Sequence, residues 1–133
     1  MRKRVVITGM GTINPLAHDV SSFWDGLVAG RTGAGPITAY DASDQAVRIA
    51  AEVKGFDAAE YLGAKQARRT DRFTQLAVFA ADQAIAGAGL SFSDNGRNHH
   101  AGIIIGTGIG GVVTLLDNYD TYRERGPRRV SAL

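Results

Sequence analysis

Two short β-branched runs, each closed by glycine, constrain this chain most. Val5, Val6, Ile7 and Thr8 run into Gly9 and Gly11, and Ile103, Ile104 and Ile105 run into Gly106 and Gly108. Runs this apolar and this short suit strands buried on both faces, and the glycines permit a sharp turn into whatever follows. Helical patterns follow the first run and the second. A strand-then-helix order predicts an α/β fold with a mainly parallel sheet and helices on both faces.

The helices have local start and stop signals. Val20, Phe23, Trp24, Leu27 and Val28 form a helical stripe, with Asp19 placed to cap its start and Gly30 its end. Gly30 to Gly35 and Pro36 read as a loop, whereas Val47, Ile49, Ala51 and Val53 alternate with Arg48, Ala50 and Glu52 as in a strand with one wetter face. Asp57 and Glu60 have capping-box spacing, which predicts a short helix over Ala58–Leu62. Phe73, Leu76, Ala77, Ala80 and Ala84 define a long amphipathic helix between residues 71 and 87. Val112, Leu115, Leu116 and Tyr119 mark a further helix, which Gly126 and Pro127 end. Trp24, Phe23, Phe73 and the tyrosines are expected in a core or an interface.

Composition narrows the functional classes. The apolar stretch 103–116 is broken by four glycines and falls short of the roughly 20 residues that cross a bilayer, so no membrane association is expected. The apolar run near the start is too short for the core of a secretory signal, which leaves a cytoplasmic location. With no cysteine, the 133 residues hold neither a disulfide nor a thiolate nucleophile. A formal net charge of +2 gives no reason to expect nucleic acid.

Three local features invite a function. Gly106, Gly108 and Gly111 match G-x-G-x-x-G between a predicted strand and a predicted helix, the setting of a dinucleotide-binding turn. Such a turn expects an acidic residue about 20 positions on; the chain instead has the basic loop Arg125, Gly126, Pro127, Arg128, Arg129. The other reading is a close approach of strand, turn and helix. Lys65, Arg68, Arg69 and Arg72 stand at i, i+3, i+4 and i+7, so a continuous helix there makes one positive stripe, either an ordinary solvated face or a docking surface. His99 and His100 are adjacent in a polar loop and, pointing to opposite sides on entering a strand, are assigned no role.

Together, residues 5–11, the pair Phe23 and Trp24, the segment 68–72, the glycine segment 102–111 and the closing segment 126–131 resemble, in order, the start of a β-ketoacyl-acyl carrier protein synthase of the elongating type II form. The resemblance implies the thiolase-like fold, with two related halves in a five-layered α-β-α-β-α subunit that works as a homodimer. Residues 1–133 correspond to the N-terminal portion of the first half, without the rest of that half or the C-terminal half. The implied reaction is a decarboxylative Claisen condensation: an acyl group held on a cysteine is joined to malonyl-acyl carrier protein with the help of two histidines. A helix N-terminus stabilises such a thiolate, and imidazole and amide donors stabilise the enolate oxygen. The family's three catalytic positions have no counterpart here, so this portion alone is expected to be inactive, and no metal or cofactor is implied.

The resemblance also assigns site residues. Lys65, Arg68, Arg69, Arg128 and Arg129 match positions that receive the acidic helix of acyl carrier protein, and Gly108 and Ile109 match the wall of the acyl pocket. It makes the glycine segment a backbone turn beside that pocket. Two alternatives remain: a non-catalytic carrier-binding or partner subunit, and, less favoured, a dinucleotide-binding oxidoreductase module built on the glycine loop.

Overall fold

The computed structural model describes residues 3–92 and 100–131. Its elements in order are α1 (Val20–Val28), β1 (Ala34–Pro36), β2 (Ile49–Ala51), α2 (Ala58–Leu62), α3 (Ala64–Ala67), α4 (Arg72–Gly87), α5 (Val112–Arg125) and a 3-10 turn (Pro127–Arg129). They fall into two compact units, Met1–Phe56 with Val78–Asn98 and Asp57–Ala77 with His99–Leu133.

Helix ends lie where local chemistry puts them. The Asp19 carboxylate accepts from the Ser22 N–H at 2.8 Å, which satisfies an orphan donor of α1 and holds the Asp19 carboxyl below its usual range. Gly30 follows in the left-handed region at φ 67°. Asp57 caps α2 through the N–H groups of Ala59 and Glu60, at 2.7 and 3.3 Å. α5 stops where Gly126 turns to φ 80° ahead of Pro127.

In the first unit, the opening segment packs on the second half of α4 through its glycines. A Cβ at Gly9 meets the Ala84 carbonyl and comes within 2.6 Å of the Ala88 nitrogen, and one at Gly11 strikes the Ala80 carbonyl. The backbone therefore lies directly on the helix. Gln83 secures it: the side-chain amide donates to the carbonyls of Thr12 at 3.2 Å and His18 at 2.7 Å, and accepts from the Thr12 N–H at 3.4 Å. His18 donates from Nε2 to the Lys54 carbonyl at 2.8 Å, and its ring meets Phe56 and Phe79 edge-on. Phe56 and Phe79 are in turn 5.2 Å apart in an edge-to-face pair.

The sheet differs from the expectation. Among the described residues it is one antiparallel pair, with Ala34 opposite Ala51, Gly35 opposite Ala50 and Pro36 opposite Ile49. Residues 34–36, read as loop, form its first strand; proline is compatible with a two-stranded edge, where an N–H is dispensable. The Glu52 carboxylate closes the hairpin by accepting from the Thr38 hydroxyl at 2.6 Å and from the N–H groups of Thr38 and Ala39. Those donors hold its carboxyl below the usual range, the Thr38 hydroxyl most of all. The face expected to be dry is the wet one: Val47 and Ile49 are about two-thirds exposed.

The two β-branched runs take no regular secondary structure and lie open to solvent, with Val5 93% and Ile104 101% exposed. A strand exists only with a neighbour to receive its N–H and C=O groups, and among the described residues no ladder reaches either run. Nor do the apolar stripes of α1 and α5 enter a core, since Trp24, Leu27, Leu115 and Leu116 are about half exposed or more. The buried apolar side chains among the described residues are those of Ala42 and Ala58. Close backbone packing therefore carries much of the first unit's order. Gly11→Ala is expected to lower its unfolding free energy by about 1–3 kcal/mol, the range for overpacking; urea titration checks this, and an unchanged midpoint contradicts it.

Candidate functional site

Lys65, Arg68, Arg69, Arg128, Arg129, Gly108 and Ile109 all belong to the second unit, and all seven are exposed. The continuous basic stripe is not there. α3 ends at Ala67 and α4 begins at Arg72, so Arg68 to Asp71 form a turn and the i, i+3, i+4, i+7 relation lapses. Side chains divert the carbonyls that a continuous helix would use. The Thr70 hydroxyl donates to the Gln66 carbonyl at 2.8 Å, and Gln75 donates from Nε2 to the carbonyls of Ala67 at 2.9 Å and Thr70 at 2.8 Å. Gln75 is the one buried polar side chain among the described residues. It reaches back from the first turns of α4 and fixes the turn that presents Arg68 and Arg69.

The second basic pair sits on the 3-10 turn after α5. The Arg129 and Val130 N–H groups close it on the carbonyls of Gly126 and Pro127. The Asn118 side chain then accepts from the Ser131 N–H at 3.0 Å and ties the segment back to α5. A small cavity of about 130 Å³ is lined by Arg68, Arg69, Thr70, Asp71, Thr114 and Ser131. The structure thus brings the Arg68–Arg69 turn and the residue two positions beyond Arg129 to one concave surface. Lys65, Arg128 and Arg129 do not line it.

The glycine loop leads into α5. The Gly110 N–H donates to the Thr107 hydroxyl at 3.1 Å, and Gly110 has φ 75°. Gly111 is the N-cap of α5 and offers no side-chain cap. Asp71 supplies an anion instead: its carboxylate accepts from the Thr114 hydroxyl in the first turn of α5, and a Cβ on Gly111 would collide with both carboxylate oxygens. A helix N-terminus attracts negative charge, and a dinucleotide turn uses it for phosphate. Here Asp71 stands in that position, and the described residues that lead directly into the loop form no strand. Both observations disfavour the nucleotide reading.

Ile109, in this loop, is 79% exposed. His100 lies exposed in a turn, and His99 lies outside the described residues. Sequence reasoning missed Gln75 and the role of Asp71. Gln75 stood inside an apolar helical pattern with nothing in the periodicity to mark it, and Asp71 read only as the start of α4. The one available signal was two polar side chains flanking a helix break.

Comparison with known proteins fits this arrangement. The family described as "Beta-ketoacyl synthase, N-terminal domain" matches residues 2–133. The chain belongs to the β-ketoacyl synthase family. It is 47% identical over 130 residues to the 3-oxoacyl-[acyl-carrier-protein] synthase 2 of Synechocystis, with 98% of this chain and 31% of that protein covered. The protein of the same name from Coxiella burnetii is 44% identical, again with 98% of this chain and 31% of the relative covered. The chain therefore spans about a third of the length of these relatives. A solved structure, the ishigamide ketosynthase/chain length factor, superposes with a TM-score of 0.80 at 30% identity and covers 99% of this chain and 33% of its own. The path of the chain is thus that of a ketosynthase, the thiolase-like fold, even where its strand segments carry no ladder. No helix among the described residues is long and apolar enough to cross a membrane.

Removing the Gln75 amide leaves the carbonyls of Ala67 and Thr70 without that partner. Gln75→Ala is expected to cost about 1–3 kcal/mol, the usual penalty for unsatisfied buried polar groups, and to speed amide exchange over residues 66–72. Exchange rates that match the parent chain overturn the assignment.

Proposed function

We propose that this chain is the N-terminal part of a 3-oxoacyl-acyl carrier protein synthase of fatty acid elongation, an acyltransferase that condenses an acyl thioester with malonyl-acyl carrier protein. In that reading residues 1–133 open the N-terminal thiolase-like domain. Lys65, Arg68, Arg69, Arg128 and Arg129 receive acyl carrier protein, and Gly108 and Ile109 form part of the acyl-pocket wall. The relatives' names support the reaction, and the lack of any cysteine means that this chain does not supply the thiolate. A cytoplasmic homodimer is part of the same proposal.

The observation that carries the docking role is the pinned turn. Arg68 and Arg69 stand exposed on backbone that Gln75 and Thr70 hold in place, in the same unit as the Arg128–Arg129 turn. Exposed cations on mobile backbone lose much of their attraction to side-chain and chain entropy. Cations on a fixed turn lose less, and Arg offers a planar fork of donors for carboxylates. An acidic partner is drawn to such a surface, with a faster encounter and a preferred orientation.

Titration with acyl carrier protein at low and high ionic strength tests this. The double substitution Arg68→Glu with Arg69→Glu is expected to weaken binding about tenfold or more at low salt, with the difference shrinking as salt screens it. Affinity that is indifferent to both the substitution and the salt defeats the docking assignment.

A further inference from the structure

We propose that Asp71 is a positioning residue for acyl-chain selectivity, holding the glycine loop that carries Ile109 in register with the Arg68–Arg69 turn. The inference rests on the reading of Ile109 as pocket wall.

The geometry joins the two sites through one carboxylate. Asp71 lies two positions after Arg69, at the end of the pinned turn, and its carbonyl accepts the first backbone bond of α4 from Gln75 at 3.0 Å. Its main chain is therefore fixed by the docking turn. Its side chain serves the other segment: the carboxylate accepts from Thr114 Oγ1 and packs so closely on Gly111 that no Cβ fits there. Thr114 is the third residue of α5, and Gly111 is both the N-cap of that helix and the last residue of the glycine loop. The carboxylate thus provides the negative charge that the helix N-terminus favours and that glycine at the cap cannot. Next to it, the Phe73 ring lies 3.9 Å from where a Cβ of Gly110 would be. Ile109 stands one residue further along, with little else to hold it, since it is 79% exposed. The loop's anchor to the docking turn is at its C-terminal end, through Asp71.

Without the Asp71–Thr114 hydrogen bond, the loop end loses its tether and the pocket wall its fixed place. Discrimination between acyl lengths depends on a wall that does not yield, because each methylene contributes only a modest difference. Carrier binding has no such dependence, because Arg68 and Arg69 remain held by Gln75 and Thr70.

The test uses the native full-length polypeptide and a series of acyl-carrier substrates of increasing chain length. Asp71→Ala and Thr114→Val are expected to flatten the length preference, lowering the ratio of kcat/KM between the best and worst acyl groups by about threefold or more. Thr114→Ser, which keeps the hydroxyl, is expected to preserve the profile, and carrier affinity is expected to hold in both charge-neutral Thr114 variants. Should Asp71→Ala not fold, the comparison of Thr114→Val with Thr114→Ser decides. Ile109→Phe is the control on the underlying reading. If it shifts the profile while Asp71→Ala and Thr114→Val do not, the role of Asp71 is overturned and the pocket reading stands. If Ile109→Phe leaves the profile unchanged, the pocket reading falls and the inference with it. A uniform loss of activity at every chain length, with no change in preference, also overturns it.

Discussion

The Gln75 amide is the contact on which the second unit's exposed arginine turn depends. By taking the carbonyls of Ala67 and Thr70 it ends one helix, starts the next and sets the bend between them. A continuous helix over 65–72 would carry the same cations along one face. The break gives something different: a tight turn with Arg68 and Arg69 at its tip and Asp71 directed toward the start of α5. Exposed positive charge and the carboxylate that meets the start of α5 then come from neighbouring residues of one short segment.

What was legible in the sequence was whatever local chemistry decides. Asp19, Asp57, Gly30 and Gly126 marked helix ends correctly, because a cap is settled by residues a few positions away. Pairing partners were not legible. The runs at 5–8 and 103–105 have the composition of buried strands, but composition cannot create a neighbouring strand, and both lie exposed. The β1–β2 hairpin was half read: the alternation at 47–53 was real, yet its partner contains a proline and its closure depends on Glu52, a residue counted only as the polar half of a pattern. The glycines of the opening segment looked like turn residues, and their tightest requirement proved to be contact with α4.

The site shows the same division. The five cations and the glycine loop were visible as residues, and the resemblance gave them roles. The turn that presents two of them was not visible, since it arises from a glutamine four residues beyond the break. The G-x-G-x-x-G spacing also illustrates how a motif is resolved by its surroundings. The place that a pyrophosphate would take at a helix N-terminus is occupied by the chain's own carboxylate, and the glycine closest to it is required by that carboxylate.

The central claim is that an acidic carrier protein docks on the turn at Arg68–Arg69 and on the segment after α5. The most direct test is amide exchange across the chain with and without acyl carrier protein. The account predicts protection concentrated in residues 65–72 and 126–131, with the first unit unchanged. Protection confined to the first unit, or no protection at carrier concentrations that saturate binding, contradicts it.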